Sequence, residues 1–355
     1  MSLLDRYIAR TLLAAVGLVM AVLLVLGLLF QFIGEQSSIG VGHYGALDAL
    51  LYSAMQLPGF ALEAFPAATL IGALLGIGVL ARSQELTVMR ASGMSKLRLS
   101  AAVLVPAAVL VAVALLMGEL VAAPLQQLSD RQKALAQYND ASFGGAGGAW
   151  LRDGDKVLNI RQTKGAARDT NMYVFELAGV NRIAAIGHAA RAMLVGGSAW
   201  QLSDYAESRF DGDAVDTGAA AQQQLHSAAS ANFLSLAETD PSELSLSTLY
   251  GLMKYLRANG LDLRQYQFAF WSRIARTAGI VAALLFALPF GFGSMRSAGM
   301  GARTTLGFSL GIVYFFLQRL VESGTQAFAL NPLLLAWVPT GLLLLAACIL
   351  LSRVR

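Results

Sequence analysis

The chain is poor in the residues that most enzymes and soluble domains rely on. It has a single cysteine, Cys348, set in an apolar run, and one thiol excludes a scaffold of intrachain disulfides. Charged residues are 14% of 355, against about 25% in soluble domains. The three histidines, His43, His188 and His226, are far apart and read as surface residues rather than metal ligands. No G-x-x-x-x-G-K-[ST], G-x-S-x-G or H-E-x-x-H occurs, so there is no phosphate loop, nucleophile elbow or zincin helix. Apolar residues, by contrast, make up 56%, where soluble domains have about 45–50%. A soluble globule cannot bury that much apolar side chain. The composition therefore predicts a polytopic membrane protein.

Six windows reach the length of about 20 mainly apolar residues that a span needs: 11–33, 58–81, 99–123, 274–292, 304–321 and 332–351. The first is too long for the apolar core of a signal peptide and is followed by no A-x-A-like site, so it is predicted to be retained. The net charge of +4 suggests nucleic acid only until the basic residues are placed. Arg6, Arg10, Arg82, Arg90, Lys96, Arg98, Arg296, Arg303, Arg353 and Arg355 all fall on one side of this layout. The short loops 34–57 and 322–331 on the other side contain no Lys or Arg. The positive-inside rule then predicts cytoplasmic termini and no nucleic-acid partner.

Residues 124–266 form one long hydrophilic insertion on the outer side. Its start, 126–137, reads as a helical extension of the third span, and the glycine-rich run 144–148 as a break. Beyond Trp150 the pattern is β. Asp153-Gly154 and Asp211-Gly212 are hairpin signals. The segments 156–161, 172–177, 183–186 and 199–202 read as short strands, which predicts an all-β jellyroll or sandwich core near 140–240. The Ala-, Gln- and Ser-rich run 219–231 reads as a loop. Residues 241–259 return to helical spacing, with Leu249, Leu252, Met253 and Leu256 on one face. The expected organisation is three spans in 1–123, an outer domain in 124–266 and three spans in 267–355.

Inside the spans, ionisable side chains are few: Glu63, Glu119, Arg319 and Glu322. Such residues are costly in lipid and mark function by default, although Arg319 and Glu322 at i,i+3 can satisfy each other. No cluster of acids, bases or ligands predicts catalysis. The loop between the second and third spans, Arg82-Ser-Gln-Glu-Leu-Thr-Val-Met-Arg-Ala-Ser-Gly93, is more informative. Ser83 is placed to cap a short helix, Glu85 falls in its first turn, and Gly93 can end it in a left-handed conformation. A helix near 83–93 with one acid beside Val88 and Met89 either lies on the membrane surface or docks in a groove of a soluble partner.

With these residues in view, the chain resembles the lipopolysaccharide export permeases of the LptF/LptG family. The resemblance rests on Leu4-Asp-Arg-Tyr-Ile8, on Phe65-Pro66 with Gly72-Ala-Leu-Leu-Gly76, and on Ser83-Gln-Glu-Leu86 with Val88-Met89 and Ala91-Ser-Gly93. Tyr255-Leu256, Tyr266-Gln267, Trp271-Ser272, Arg296-Ser297 and Met300-Gly301 with Arg303 extend it over nearly the whole chain. It implies six transmembrane helices in the bacterial inner membrane with an inserted periplasmic β-jellyroll. It also implies a non-enzymatic permease without a cofactor, in an ABC transporter whose ATP is bound and hydrolysed by a cytoplasmic LptB dimer. Further implied partners are the paralogue LptF, LptC with the periplasmic bridge, and the lipopolysaccharide itself. Glu85, Leu86, Met89 and Arg90 would lie on the coupling helix that docks on LptB, and spans 1 and 5 would form the lateral gates.

Such a cargo carries phosphates outside the membrane and acyl chains within it. Arg131, Lys133 and Arg319 are then either phosphate contacts or solvated surface charge. Phe30, Phe32, Phe315 and Phe316 either line an acyl cavity or pack against lipid. Family members often carry lysines at the outer end of span 1, where this chain has Gln31, Glu35 and Ser38. The rival readings are a permease like FtsX or MacB, typically with four spans, a membrane scaffold for the β domain, and an integral lipid enzyme.

Overall fold

The computed structural model describes residues 3–91, 93, 95–138, 149–162, 170–179, 182–195, 199–212, 214–226, 240–292, 300–327 and 331–353. The glycine run 144–148, residues 227–231 of the expected loop, the Arg296-Ser297 pair and the Arg90 side chain lie outside that description. The chain divides into two compact units. One comprises Met1–Lys133, Ser245–Leu249 and Arg264–Arg355, the other Ala134–Leu244 and Tyr250–Leu263.

The first unit is helical. In chain order it contains α1 (Leu3–Gly34), a 3-10 turn (Glu35–Ser38), α2 (Ala46–Arg82), α3 (Glu85–Ala91), α4 (Lys96–Met117), a π-helical turn (Gly118–Ala122) and most of α5 (Ala123–Tyr138). The first turn of α6 (Leu246–Ala258) follows, then α7 (Arg264–Phe292), α8 (Met300–Ala327) and α9 (Pro332–Arg353). Five stretches are helical, long and apolar enough to cross a membrane: Leu3–Ser38, Ala46–Arg82, Arg98–Gln137, Arg264–Gly291 and Pro332–Arg353. The window 304–321 falls within α8, a continuous helix that is not one of those five.

The bundle packs around α2, and glycine decides how closely. A Cβ on Gly72 would stand 2.5 Å from the Val16 Cα, and one on Gly76 would stand 3.0 Å from a Leu12 methyl. The Gly72-x-x-x-Gly76 stripe thus lets α1 rest directly on α2, the usual small-residue solution in membranes. On another face of α2, Ile71 and Leu74 occupy the space left by Gly311 and Gly307 of α8. The two prolines inside α2, Pro58 and Pro66, remove backbone donors. Neighbouring helices make such positions tolerable. Ile8, Leu12, Leu70, Leu80, Leu99, Ile280 and Leu284 form the buried centre.

The second unit is an antiparallel sheet in strand order β1-β2-β3-β4-β5-β6. Its strands are β1 (Ala149–Asp153), β2 (Lys156–Gln162), β3 (Thr170–Leu177), β4 (Ile183–Val195), β5 (Ala199–Asp211) and β6 (Ala214–His226). Both hairpin signals hold: Gly154 and Gly212 turn with φ of +61° and +59°. Alternation puts Leu151, Leu158, Ile160, Met172, Val174, Trp200 and Leu202 on one buried face, and Tyr205 joins them beyond Asp204, whose φ of +53° interrupts the alternation. The C-terminal part of α6 belongs to this unit. Tyr255 donates to the Arg152 carbonyl, and Asn259 Oδ1 accepts from the Gly154 amide at 2.7 Å.

One expectation changes here. The run 219–231 is predicted as a loop, yet through His226 it is the edge strand β6, paired with β5 from Asp211↔Ala214 to Ala199↔His226. The backbone ladder forms that strand. Because most of it is exposed, it needs no apolar bulk. Among the described residues each strand pairs with its sequence neighbour, an antiparallel meander.

Candidate functional site

The short loop helix α3 sits at one end of the bundle, and its orientation follows from its apolar side chains. Leu86 and Met89 are buried in the same core as α2, with Leu86 filling the space beside Gly291 of α7. Val88 points away and is 65% exposed. Glu85 stands between, partly exposed. Its Oε1 accepts from the Tyr7 hydroxyl at 3.1 Å, and its Oε2 is buried with no hydrogen-bond partner among the described residues. The Ser83 hydroxyl is predicted to cap α3 but donates instead to the Val79 and Leu80 carbonyls, closing α2. The chain reverses at Gln84, φ +62°, and leaves α3 through Gly93, φ +92°, as its glycine predicts.

The start of α1 reaches a second element at this end. Asp5, 5% exposed, pairs with Arg98 of α4 at 2.8 Å. Ser95 caps α4 by accepting from the Arg98 amide. Asp5 and Tyr7 both belong to the Leu4-Asp-Arg-Tyr-Ile8 motif. The sequence assigns that motif no contact, because bonds across 78 and 93 residues leave no periodic trace.

At the far end of α1, a second cluster forms around Lys133 of α5. Its ammonium lies 2.8 Å from Glu35 and 4.5 Å from the Tyr52 ring centroid. Tyr44 donates to Glu35 as well. Burial, and then the Glu35 charge, push the Tyr44 phenol pKa up, so the proton stays available for that bond. Tyr52 donates to Asp130 at 3.0 Å. Lys133 is thus already engaged, whereas Arg131 on the same helix is exposed.

A third cluster is a chain of alternating charge across three helices. Arg276 of α7 meets Glu322 of α8 at 3.0 Å, Glu322 meets Arg319 at 3.5 Å in the expected i,i+3 pair, and Arg319 meets Glu63 of α2 at 2.6 Å. Arg276 and the Glu63 contact are invisible to local spacing. Phe32 is half-buried. Phe316 is 66% exposed and lies edge-on to Phe315. Glu119, the remaining acid of the spans, lies in the π-helical turn. Its carboxylate accepts the Leu246 amide at 2.7 Å and the Ser247 hydroxyl at 3.2 Å, so it caps α6 where the helix dipole favours an anion.

These clusters are built of ion pairs, phenol–carboxylate hydrogen bonds and one helix cap. They suit docking, ion-pair exchange and anion contact. Comparison with known proteins agrees with that character. The model of the family described as lipopolysaccharide export system permease LptF/LptG matches residues 6–353. Among curated relatives, the chain is 31% identical to the lipopolysaccharide export system permease protein LptG of Escherichia coli strain K12, over 99% of this chain and 98% of that protein. The LptG of Escherichia coli O6:H1 strain CFT073 gives the same figures. The LptG of Haemophilus influenzae is 26% identical over 99% of both chains.

Proposed function

The chain belongs to the LptF/LptG family of lipopolysaccharide export system permeases, and we propose that it is the permease subunit of an ABC transporter that extracts lipopolysaccharide from the inner membrane toward a periplasmic bridge. The observation that carries the mechanism is the anchoring of α3. Leu86 and Met89 are embedded in the bundle while Glu85 and Val88 are turned outward or half outward. In this reading Glu85, Val88 and Arg90 meet the LptB dimer, and Leu86 and Met89 pass its movement to α2 and α7. ATP is spent on LptB; this subunit does mechanical work. The paralogue LptF completes the cavity, and LptC receives the lipid.

Finer points belong to the same proposal. The helix α8 makes the sixth span, both termini are cytoplasmic, and the meander is the described part of a periplasmic jellyroll. Arg131 is the readier phosphate contact, because Lys133 must first leave Glu35 and Arg319 must leave Glu63. Phe32 and Phe316 flank the acyl chains. The test is Glu85→Ala in the purified complex, alone and combined with substitution of the paralogue's equivalent glutamate. The expected outcome is intact membrane insertion with weakened LptB co-purification or a lower yield of lipopolysaccharide released per ATP. Unchanged docking and release in the double variant would overturn the assignment.

A further inference from the structure

The two contacts made by the start of α1 are more specific than packing requires. Tyr7 is 47% exposed, so its ring is not there to fill the core. Its hydroxyl nevertheless reaches the one carboxylate of α3, 78 residues away, at 3.1 Å. Two residues earlier, Asp5 is almost fully buried and meets the guanidinium of Arg98 at the first turn of α4. Residues two apart on a helix point to different sides, so these two side chains hold two different elements. One short stretch of α1 is therefore tied to both ends of the loop that contains α3.

The geometry of Glu85 sharpens the point. A carboxylate on a surface helix has many rotamers, and fixing one costs conformational entropy. The Tyr7 bond selects a rotamer and leaves Oε2 turned into the protein. We infer that Tyr7 is a positioning residue for Glu85, and that the Tyr7 and Asp5 contacts make the first two turns of α1 a strap carrying displacement of α3 into the bundle. This rests on the docking role proposed above for Glu85. From the strap, α1 continues past its close contact with Gly72 of α2 to a stretch where Leu18, Val22, Val25, Leu29, Phe30 and Ile33 are exposed. A helix of that length is stiff over about 48 Å, so force applied at Tyr7 moves that apolar surface.

The experiment uses the complete complex with its ATPase in proteoliposomes, and the quantity read is lipopolysaccharide released per ATP hydrolysed. Tyr7→Phe deletes only the hydroxyl. It is expected to lower this ratio about two- to tenfold, the span for loss of one hydrogen bond, with co-purified ATPase unchanged. In a Glu85→Ala background, which removes the acceptor, Tyr7→Phe is expected to add nothing, since it acts through that carboxylate; independent, additive losses would refute the positioning role. Glu85→Ala run in parallel separates the two claims. If Glu85→Ala leaves the ratio intact even with the paralogue's equivalent glutamate substituted, the docking reading itself fails. If Glu85→Ala lowers it and Tyr7→Phe does not, only the strap fails. The second tether gives a check that does not depend on Tyr7: Asp5→Arg and Arg98→Asp are each expected to lower the ratio, and the two together to restore it. Failure of the swapped pair to recover, in a complex that still assembles, refutes the strap.

Discussion

On β5 the side chains of Tyr205, Glu207 and Arg209 fall in a row. Tyr205 donates to Glu207 Oε2 at 2.9 Å, and Arg209 donates to Oε1 at 2.8 Å. Gly187, paired with Glu207 on β4, leaves room for the tyrosine ring; a Cβ there would strike the phenol. Burial alone would raise the Glu207 pKa, but the bonds from Arg209 and Tyr205 outweigh it and the net shift is downward. Burial, and then the bond to Glu207, raise the Tyr205 pKa. The signs give a window. A lowered carboxylate stabilises the fold above its ordinary range, about pH 4.3, and that contribution is lost as pH falls through its folded value. A raised phenol contributes below about pH 10, and the contribution is lost as pH rises beyond. The sheet is therefore expected to be most stable between these limits, and Glu207→Gln to weaken the acid dependence. Denaturation of the full chain, followed by Trp150 and Trp200 fluorescence in a Trp271→Phe, Trp337→Phe background, checks this; an unchanged acid limb would count against it. At this scale the sequence revealed what was local. Glu85 stood out as a lone acid on an apolar loop helix, and Arg319 and Glu322 as an i,i+3 pair. Tyr7, Asp5 and Arg276 did not, and Glu63 stood out without its partner, because these partners are tens or hundreds of residues away.

Secondary elements were the most legible level. Strands β2 and β3, both glycine hairpins, α6 and the extension of the third span follow from periodicity and turn chemistry. The misses share a cause, since β6 is held by its neighbour's ladder rather than by its own side chains, and α2 exceeds its apolar window because packing continues the helix. Helix contacts also give an expected outcome. Gly72→Ala places a methyl against the Val16 backbone, so α1 and α2 must separate, at about 1–3 kcal/mol by analogy with overpacked cores. Gly17→Ala, with nothing within 4 Å of the added carbon, is the control and is expected to be neutral or slightly stabilising through helix propensity. Thermal unfolding of the detergent-solubilised chain distinguishes them; equal midpoints for the two variants would mean that the close approach is not required.

For the whole molecule, membrane character was readable from composition, and the distribution of Lys and Arg predicts an orientation that reporter fusions test. The count of spans decides where the C-terminus lies. Six spans with a cytoplasmic N-terminus return the C-terminus to the cytoplasm, while five would leave it outside. A cytoplasm-active reporter fused after Arg355 is expected to be active, and an export-dependent reporter at the same point silent. The reverse result would remove α8 from the set of spans. Fusions within 34–45 are expected to show the opposite behaviour, as the positive-inside asymmetry requires.

The chain Arg276–Glu322–Arg319–Glu63 has two cations and two anions. Moving a lone elementary charge through the full membrane potential involves about 2.3 kcal/mol per 100 mV. A balanced quartet that shifts as one body moves no net charge through that field. A rearrangement that keeps the four together therefore transfers no net charge at this cluster, and the polarisation of the cell envelope exerts no net pull on it.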